Sequence, residues 1–384
     1  MKLLFLTGSL VHGGAERHTI TLANQLAARG HPCHFRYIKN DPSQLERLRG
    51  AASVECLHAR RYLDWRALAK LIRCMREIKP DVVVAANPYA MFYASLALRA
   101  SGVRAPLAVV YHTTVLLTAK SWLQMLYYRP FFWSADRLVF VCEAQQRHWR
   151  KRGVAARSNL VVYNGVDCEH WQPGTAQERA LIRGALGLAE RDFVIGMCAV
   201  FRPEKNHLQL VEALAKLRRR GIPARALLIG DGPMRPAIEA RARSLGVAGD
   251  VLVTGFQQDV RPFVGACDTV ALCSGVSETF SLAGLEAMAL QKPVVHSAVG
   301  GAAEMVKPWQ TGFIFPAGDD AALVDALATL ADEPLRARMG AQARESVEAR
   351  FSERAMVERY EQTLQELASH RSQHENVRRN AAAH

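Results

Sequence analysis

The chain alternates short apolar runs with amphipathic segments, and it does so twice. The apolar runs are rich in Val, Leu and Ile, as is typical of buried strands, and the stretches between them repeat apolar residues with helical spacing. Strands that alternate with helices predict a parallel sheet covered by helices on both faces. The predicted strands are 2–7, 32–38, 81–86, 107–111, 137–142 and 160–163, then 193–197, 225–229, 250–253, 269–272, 293–296 and 312–315.

The pattern restarts after the polar, turn-rich stretch 171–174, and a chain of 384 residues is too long for one ordinary core. We therefore expect an α/β protein with two Rossmann-like, doubly wound domains, at 1–168 and 175–350. A helix at 351–368 follows, and the polar tail at 369–384 is expected to be disordered. Because ligands bind at the carboxyl ends of the strands in such sheets, the two domains are expected to face each other across a cleft.

Basic residues are concentrated in the first half of the chain. Residues 1–165 hold 24 Lys and Arg against 9 Asp and Glu, a net charge of +15, whereas the whole chain carries +13. An excess on one half alone favours an anionic partner for that half. No basic motif interleaved with aromatic residues and no recognition helix accompanies it, so we expect no nucleic-acid partner.

The eight cysteines are scattered without Cys-x-x-Cys pairs, which predicts free thiols in a reducing cytoplasm. No run of eighteen apolar residues predicts a transmembrane helix. The apolar start of the chain is interrupted by Thr7, Gly8 and Ser9, so a first strand is favoured over a signal peptide.

Residues 277–290 have the features of an anion site at the start of a helix. Ser281 is a suitable N-cap, and the residues from Leu282 to Leu290 are good helix formers. Glu278 then lies just before the helix, and Glu286 lies about one and a half turns inside it. The free N–H groups of a first helical turn suit a phosphate, and two carboxylates can accept hydrogen bonds from hydroxyls, so the segment predicts a nucleotide-sugar site. Chance spacing or simple capping remains the alternative.

The Glu-x7-Glu spacing, together with Phe280 and the Glu-Ala-Met at 286–288, resembles the donor-site signature of the retaining glycosyltransferases of family 4. That resemblance implies the GT-B fold, in which the last helix packs back on the first domain. It also implies that Glu278 holds the hydroxyls of the donor sugar and that Glu286 holds the ribose of the nucleotide. The remaining donor contacts that it implies here are Thr279, Phe280, Ser281 and Leu282.

A glycine-rich loop follows the first predicted strand. Gly13 and Gly14 stand just before a helix, where a phosphate or sugar can approach the backbone closely. The glycines do not follow Gly-x-Gly-x-x-Gly, which argues against a dinucleotide oxidoreductase. The Gly-Gly-Ala-Glu at 13–16 is similar to the N-terminal loop of the same family, which the resemblance places across the cleft from the donor. A plain turn is the alternative.

His112 ends an apolar strand, at the edge where a side chain would enter the cleft. The resemblance implies a polar contact near the transferred sugar, and a structural hydrogen bond is the alternative. Asn164-Gly165-Val166-Asp167 resembles the turn that ends the first domain in the family, and we interpret it as a structural hinge.

Arg202 and Lys205 follow the first strand of the second domain. Lys205 is well placed to neutralise a diphosphate, and Arg202 is a possible second partner. The family pattern has an Arg five residues before this Lys, where the present chain has Val200. Arg202 either replaces that Arg or faces solvent.

Two later strands are followed by glycine turns that resemble the nucleotide side of the family's site. We expect Gly230 and the backbone near Phe256 to line it. The chain contains no Asp-x-Asp and no zinc-ligand spacing, so we expect no metal and no cofactor, with the nucleotide-diphospho-sugar as co-substrate.

The resemblance implies a metal-independent retaining hexosyl- or related glycosyltransferase that acts on a glycan or lipid-linked acceptor in cell-surface polysaccharide or lipopolysaccharide assembly. A GT-B nucleotide-sugar epimerase and a non-catalytic nucleotide-sugar-binding protein remain open. Residues 115–133 mix Lys120 and Arg129 with six aromatic side chains, those of Trp122, Tyr127, Tyr128, Phe131, Phe132 and Trp133. This mixture predicts a peripheral position on an anionic membrane, at its cytoplasmic face. Core packing or a dimer contact is the alternative for these aromatic residues.

Overall fold

The computed structural model describes residues 1–11, 13–116 and 118–381, with side chains up to residue 369. His12 of the glycine-rich loop, Leu117 and residues 382–384 lie outside the described residues. The chain divides into two compact units. Residues 165–354 form the C-terminal unit, and the described residues on either side, 1–164 and 355–381, form the N-terminal unit.

The N-terminal unit is built on a seven-stranded, all-parallel sheet with the order β3-β2-β1-β4-β5-β6-β7. Its strands are β1 (Leu3–Thr7), β2 (Cys33–Tyr37), β3 (Ser53–Cys56), β4 (Val82–Ala86), β5 (Leu107–Tyr111), β6 (Arg137–Phe140) and β7 (Ser158–Val161). Its helices are α1 (Gly14–Ala28), α2 (Trp65–Ile78), α3 (Asn87–Ser101), α4 (Ala119–Ser134), α5 (Glu143–Arg150) and α14 (Glu353–Ala381), of which the first two residues belong to the other unit.

The sheet of the N-terminal unit is buried on both faces, because alternate residues of its strands join two separate apolar clusters. Leu4 and Leu6 of β1 pack in a cluster with residues of α2, α3 and α4. Leu3 and Phe5 pack in the other cluster with α1 and with the apolar side of α14. The residues that α14 contributes to this core are Met356, Val357, Tyr360, Leu364 and Leu367.

The C-terminal unit is built on a six-stranded, all-parallel sheet with the order β10-β9-β8-β11-β12-β13. Its strands are β8 (Phe193–Cys198), β9 (Ala224–Ile229), β10 (Val251–Val253), β11 (Thr269–Leu272), β12 (Val294–Ser297) and β13 (Gly312–Phe315). Its helices are α6 (Ala176–Ala185), α7 (His207–Arg219), α8 (Arg235–Ser244), α9 (Arg261–Ala266), α10 (Leu282–Ala289), α11 (Ala302–Met305), α12 (Asp320–Thr329) and α13 (Glu333–Arg350).

The prediction of two Rossmann-like, doubly wound sheets is confirmed. The largest differences from the predicted elements are at β3 and α14. Strand β3 was not predicted, because it is a four-residue edge strand whose Val54 and Glu55 are exposed. Helix α14 continues to Ala381 instead of ending at residue 368 before a disordered tail. Residues 369–381 are polar, but they include no Gly or Pro that would stop the helix.

The chain passes between the units twice, after Asn164 and after Arg354. Beside these points two segments of the C-terminal unit pair with each other. The Val166 N–H donates to the Phe351 carbonyl, and the Glu353 N–H donates to the Val166 carbonyl, both at 2.9 Å. These hydrogen bonds hold the backbone of Val166, within the hinge predicted at 164–167, against the backbone of Phe351 and Glu353.

All eight cysteines are free thiols, six of them buried, as expected. Among the described helices, none combines the length and the apolar character that crossing a bilayer requires.

Candidate active site

In the sheet of the C-terminal unit, the strand order reverses between β8 and β11. The strand order runs outward from β8 through β9 to β10 on one side and from β11 through β12 to β13 on the other. In open α/β sheets ligands bind outside the carboxyl ends of the strands where the order reverses in this way. The loops that follow these two strands are joined, because the Gly275 N–H donates to the Glu204 carbonyl at 3.0 Å.

Helix α10 begins at this position as the sequence predicts. Ser281 caps it, with its side chain accepting a hydrogen bond from the Gly284 N–H at 3.2 Å. Phe280, predicted among the donor contacts, has a buried side chain that packs on Phe351 with ring centroids 5.3 Å apart. Its ring therefore anchors the loop in the core of the C-terminal unit.

Lys205 and Glu278 form an ion pair at the centre of the site. The Lys205 Nζ lies 2.7 Å from the Glu278 Oε2, and the Ser274 hydroxyl donates to the same oxygen at 3.2 Å. Burial alone would raise the pKa of the Glu278 carboxyl, but the charge and hydrogen bond of Lys205, with smaller contributions from His296 and Ser274, hold it below its usual value. The carboxylate is thus ionised and only 13% exposed, while the ammonium is 29% exposed.

Sequence reasoning missed Ser274 and His296, which complete this group. His296 is buried on β12, its Nδ1 lies 2.7 Å from the Ser297 carbonyl, and burial lowers its pKa. Ser297 in turn donates to the Ser274 carbonyl at 2.7 Å. Ser274 follows β11, and His296 lies on β12. These positions beside the strands that flank Glu278 in the sequence are the only signal that could have indicated the two residues.

The turn at 299–301 supports the backbone of the Glu278 loop. Gly301 donates its N–H to the Thr279 carbonyl at 2.8 Å. Gly300 has a φ of +59°, and a Cβ there would lie 2.3 Å from the Glu278 carbonyl oxygen. A side chain at position 300 would therefore push the Glu278 backbone away.

Glu286 lies inside α10 with 6% of its surface exposed. Leu282 and Thr279 are half-buried near the start of the helix. These residues are where the sequence placed them relative to the helix, and their roles toward a nucleotide stay predictions.

Arg202, Gly230 and Phe256 follow β8, β9 and β10 in turn. Arg202 is exposed, and its guanidinium makes no hydrogen bond or ion pair within the described residues. Gly230 forms an isolated bridge with Gly255. Phe256, the residue after Gly255, is 70% exposed.

The N-terminal unit presents Gly13 and Gly14 at the start of α1. Both are exposed, and Gly13 is the N-cap, so the cap residue of this 15-residue helix contributes no side chain. Glu16 lies in that first turn, and burial raises the pKa of its carboxyl. The strand order of this sheet reverses between β1 and β4, and the glycine loop follows β1.

His112 follows β5 and contacts a second histidine that the sequence reasoning missed. The His18 ring of α1 lies edge-on to the His112 ring at 4.8 Å and to the Tyr360 ring of α14 at 5.4 Å. Burial lowers the pKa of His18 to about 4, and burial together with His18 lowers the pKa of His112 well below its usual value. Both rings are therefore neutral at pH 7. The Asn87 side chain accepts the His112 backbone N–H at 3.0 Å and so fixes the start of the loop.

Among the described residues, no group of three or more His, Cys, Asp or Glu side chains is arranged to hold a metal ion. The cationic groups at the site are Lys205 and Arg202, and the other donors are backbone N–H groups. Such a set can bind an anion that carries hydroxyl groups.

Two family models match the chain, one in each unit. The model for Glycosyltransferase Family 4 matches residues 12–170, and the model for Glycosyl transferases group 1 matches residues 178–346.

The lipopolysaccharide core biosynthesis glycosyltransferase LpsE of Rhizobium meliloti (strain 1021) is 28% identical over 356 residues, 92% of this chain and 96% of that protein. The N-acetyl-alpha-D-glucosaminyl L-malate synthase of Bacillus anthracis is 32% identical over 201 residues, 52% of this chain and 51% of that protein. Across four of the curated relatives, the match spans between 51% and 63% of the relative's length.

Among solved structures, that of Anabaena Alr3699/HepE in complex with UDP superposes with a TM-score of 0.85 at 25% identity, covering 95% of this chain and 100% of that one. The same protein in complex with UDP-glucose superposes with a TM-score of 0.83.

Proposed function

Because the chain belongs to the family 4 glycosyltransferases and has their GT-B fold, we propose that it transfers a sugar, with retention of anomeric configuration, from a nucleotide-diphospho-sugar to a glycan or lipid-linked acceptor. The acceptor belongs to cell-surface polysaccharide or lipopolysaccharide assembly, in line with the role of LpsE in lipopolysaccharide core biosynthesis.

The Lys205–Glu278 pair beside the start of α10 is the observation that carries this proposal. A diphosphate that reaches Lys205 and the first N–H groups of α10 competes with Glu278 for the ammonium. The released carboxylate then accepts hydrogen bonds from the hydroxyls of the sugar. Glu286 holds the ribose, and Phe256 meets the base. Uracil is the base we propose, because Anabaena HepE was solved with UDP and with UDP-glucose.

In the proposed reaction an acceptor hydroxyl attacks the anomeric carbon from the face that the nucleotide leaves. The new bond joins the acceptor oxygen to that carbon, the bond from the carbon to the phosphate oxygen breaks, and the acceptor proton passes to the leaving diphosphate. Lys205, Arg202 and the helix N–H groups stabilise the negative charge that develops there. We propose that this set acts without a tightly held metal ion.

The N-terminal unit is proposed to bind the acceptor. Gly13 and Gly14, predicted as donor contacts, allow a close approach to the backbone at the start of α1, and the neutral His112 ring offers a polar contact near the transferred sugar. A ring that is neutral at pH 7 can orient a hydroxyl without a change in charge.

We also propose that the N-terminal unit docks on an anionic membrane through α4, at the cytoplasmic face. Part of the segment predicted for this role is core, because Tyr128 and Phe132 are buried. The opposite side of the helix is exposed and apolar, with exposed fractions of 39% to 69% for Trp122, Leu123, Leu126, Tyr127 and Trp133.

Basic groups accompany this exposed side of α4. The Arg152 guanidinium lies 5.7 Å from the Trp122 ring, and Lys120 is exposed on the same helix. The unit carries a net charge of +15, since residues 355–384 add four positive and four negative charges. Each Lys or Arg near an anionic surface contributes about 1 kcal/mol to binding.

Liposome sedimentation tests the membrane proposal. We expect binding to anionic but not neutral vesicles, weakened by salt and lost in the double variant Leu123→Ser/Leu126→Ser. Leu181→Ser changes a leucine that is 73% exposed on the other unit and serves as the matched control. Binding that ignores lipid charge, or a double variant that still binds, would contradict the proposal.

Incubation of the protein with UDP-sugars and candidate acceptors tests the transfer reaction. We expect a glycosylated acceptor whose new linkage keeps the anomeric configuration of the donor, read by NMR. Epimerised nucleotide sugar or free sugar without a glycosylated product would favour the epimerase alternative. Binding of UDP-sugars without turnover of any acceptor would favour a non-catalytic binding protein.

A further inference from the structure

A second cavity lies in the C-terminal unit at the amino-terminal ends of the strands, the edge of the sheet opposite the Lys205–Glu278 pair. It has a volume of about 390 Å³. Phe193 at the start of β8, Pro223 before β9, Asp268 before β11 and Lys292 before β12 all line it. The proposed transfer reaction uses none of these residues.

Three arginines surround one carboxylate at the base of this cavity. Asp268 accepts from Arg179 and from Arg183 at 2.7 Å each, and Arg336 lies 3.5 Å away. Its Oδ2 also accepts the Val194 N–H at 2.7 Å. The Asp268 carboxylate is 5% exposed and the Arg183 side chain 4%, whereas Arg336 and Arg179 are 16% and 35% exposed.

Lys292 adds a fourth positive charge to this group. Its ammonium makes no hydrogen bond or ion pair with any residue that the structure describes, although the residue is partly buried. Burial first, and the nearby Arg179 and Arg183 as well, lower its pKa to about 8, against the opposing influence of Cys267 and Asp268.

Around Asp268 the cluster therefore holds four positive groups against one negative group. A second carboxylate that lines the cavity, that of Asp192, is 11% exposed and lies 3.7 Å from the Arg225 guanidinium. The other acidic residues of the lining, Glu190 and Glu333, are exposed, as is Arg191. Water and salt screen exposed charges, so they compensate the buried excess poorly.

We propose that this cavity binds a phosphate-bearing anion through Lys292, Arg179 and Arg336. A phosphate group supplies the charge that the cluster lacks, and guanidinium groups match its oxygens with paired hydrogen bonds. The volume leaves room beside the phosphate for a small organic group. The site would be separate from the donor site, at the other end of the same sheet.

Thermal unfolding in sodium phosphate, compared with sodium chloride at equal ionic strength and pH 7.5, tests this proposal. We expect phosphate at about five times its Kd to raise the Tm of the wild type by roughly 2 to 4 °C. Lys292→Met should lose most of this rise. Lys216→Met, which changes a more exposed lysine paired with Asp320, should keep it.

Lys205→Ala separates this site from the donor site. A phosphate response that persists in Lys205→Ala and disappears in Lys292→Met supports the second site. A response that disappears in Lys205→Ala, or one that Lys292→Met retains in full, would overturn it.

Chemical labelling provides a readout that does not depend on stability. An amine-reactive reagent at pH 8 should modify Lys292, and phosphate or phenyl phosphate should slow that modification at least about threefold, as measured by mass spectrometry of the peptide. Stronger protection by phenyl phosphate would identify a phosphomonoester as the preferred ligand, and equal protection would identify free phosphate. No protection by either anion would contradict the proposal.

Discussion

The Lys205 ammonium and the Glu278 carboxylate, 73 residues apart in the chain, lie 2.7 Å from each other at the carboxyl end of the C-terminal sheet. Each residue was predicted to contact a different part of the donor. Their pairing means that in the free protein each satisfies the charge of the other. Donor binding must therefore exchange one ion pair for two new sets of contacts, which leaves neither charge buried alone.

Replacing Lys205 by Ala should lower kcat/KM for transfer at least roughly tenfold, the scale of one charge-assisted contact. The exposed Arg202 should matter less, so Arg202→Ala should lose less activity. Steady-state kinetics with Lys216→Ala as the matched control checks both expectations. Full activity in Lys205→Ala would show that the diphosphate is held elsewhere.

The two glutamates should separate chemistry from nucleotide affinity. Glu278→Gln should abolish transfer, a loss of at least roughly 100-fold, while UDP binding stays nearly unchanged, because a neutral amide replaces the acceptor of the sugar hydroxyls. Glu286→Gln should instead weaken UDP binding through the ribose. Isothermal titration with UDP, beside transfer rates, measures the two effects, and equal losses of UDP affinity would refute this division of roles.

Gly300→Ala should disturb Glu278 without touching its side chain. The new Cβ meets the Glu278 carbonyl oxygen at 2.3 Å, so the loop must move, and we expect at least about a tenfold loss of activity and lower stability. Gly318→Ala is the control, since Gly318 also has a positive φ, of +82°, but has no atom within 4 Å of the added Cβ. Equal effects of the two substitutions on activity would mean that backbone strain alone is responsible.

Transfer should survive chelation of divalent ions. The expectation comes from the missing Asp-x-Asp and from the cationic side chain and helix N–H groups that serve a diphosphate in its place. Rates measured in excess EDTA should match those in Mg²⁺ or Mn²⁺. Complete loss in EDTA that either ion restores would refute a metal-independent reaction.

Lys292 should make stability rise with pH above about 8. Its pKa is about 8 in the folded protein and near its ordinary value of 10.5 when unfolded, so between these values the unfolded state binds more protons and folding becomes more favourable as pH rises. Burial is the main cause of this low pKa, and the nearby groups that also influence it are Arg179, Arg183, Cys267 and Asp268. Urea unfolding at pH 7.5, 8.5 and 9.5 should show that the free energy of unfolding of the wild type rises with pH relative to that of Lys292→Met. The same pH dependence in both proteins would contradict the expectation.

Local patterns in the sequence predicted most of the fold and part of the site. Ser281 could be predicted as the N-cap because capping depends on residues within one turn. The Lys205–Glu278 pair could not, since it depends on which strands are neighbours in the sheet. Phe280 was expected beside the donor, but its ring packs on Phe351, 71 residues later in the sequence. The edge strand β3 was missed because half of it is exposed and carries no apolar run.

The N-terminal unit is completed by residues that the ribosome adds only after the whole C-terminal unit. Five apolar residues of α14 fill one face of its sheet, and Tyr360 closes over His18. During synthesis, residues 1–164 therefore emerge with the part of that face that α14 covers still exposed, and it stays exposed while the whole C-terminal unit is made. At about 5 to 20 residues per second, the roughly 190 residues in between take about 10 to 40 seconds. For that time an apolar face is open to chaperones or to aggregation, and native packing of the first unit waits for α14.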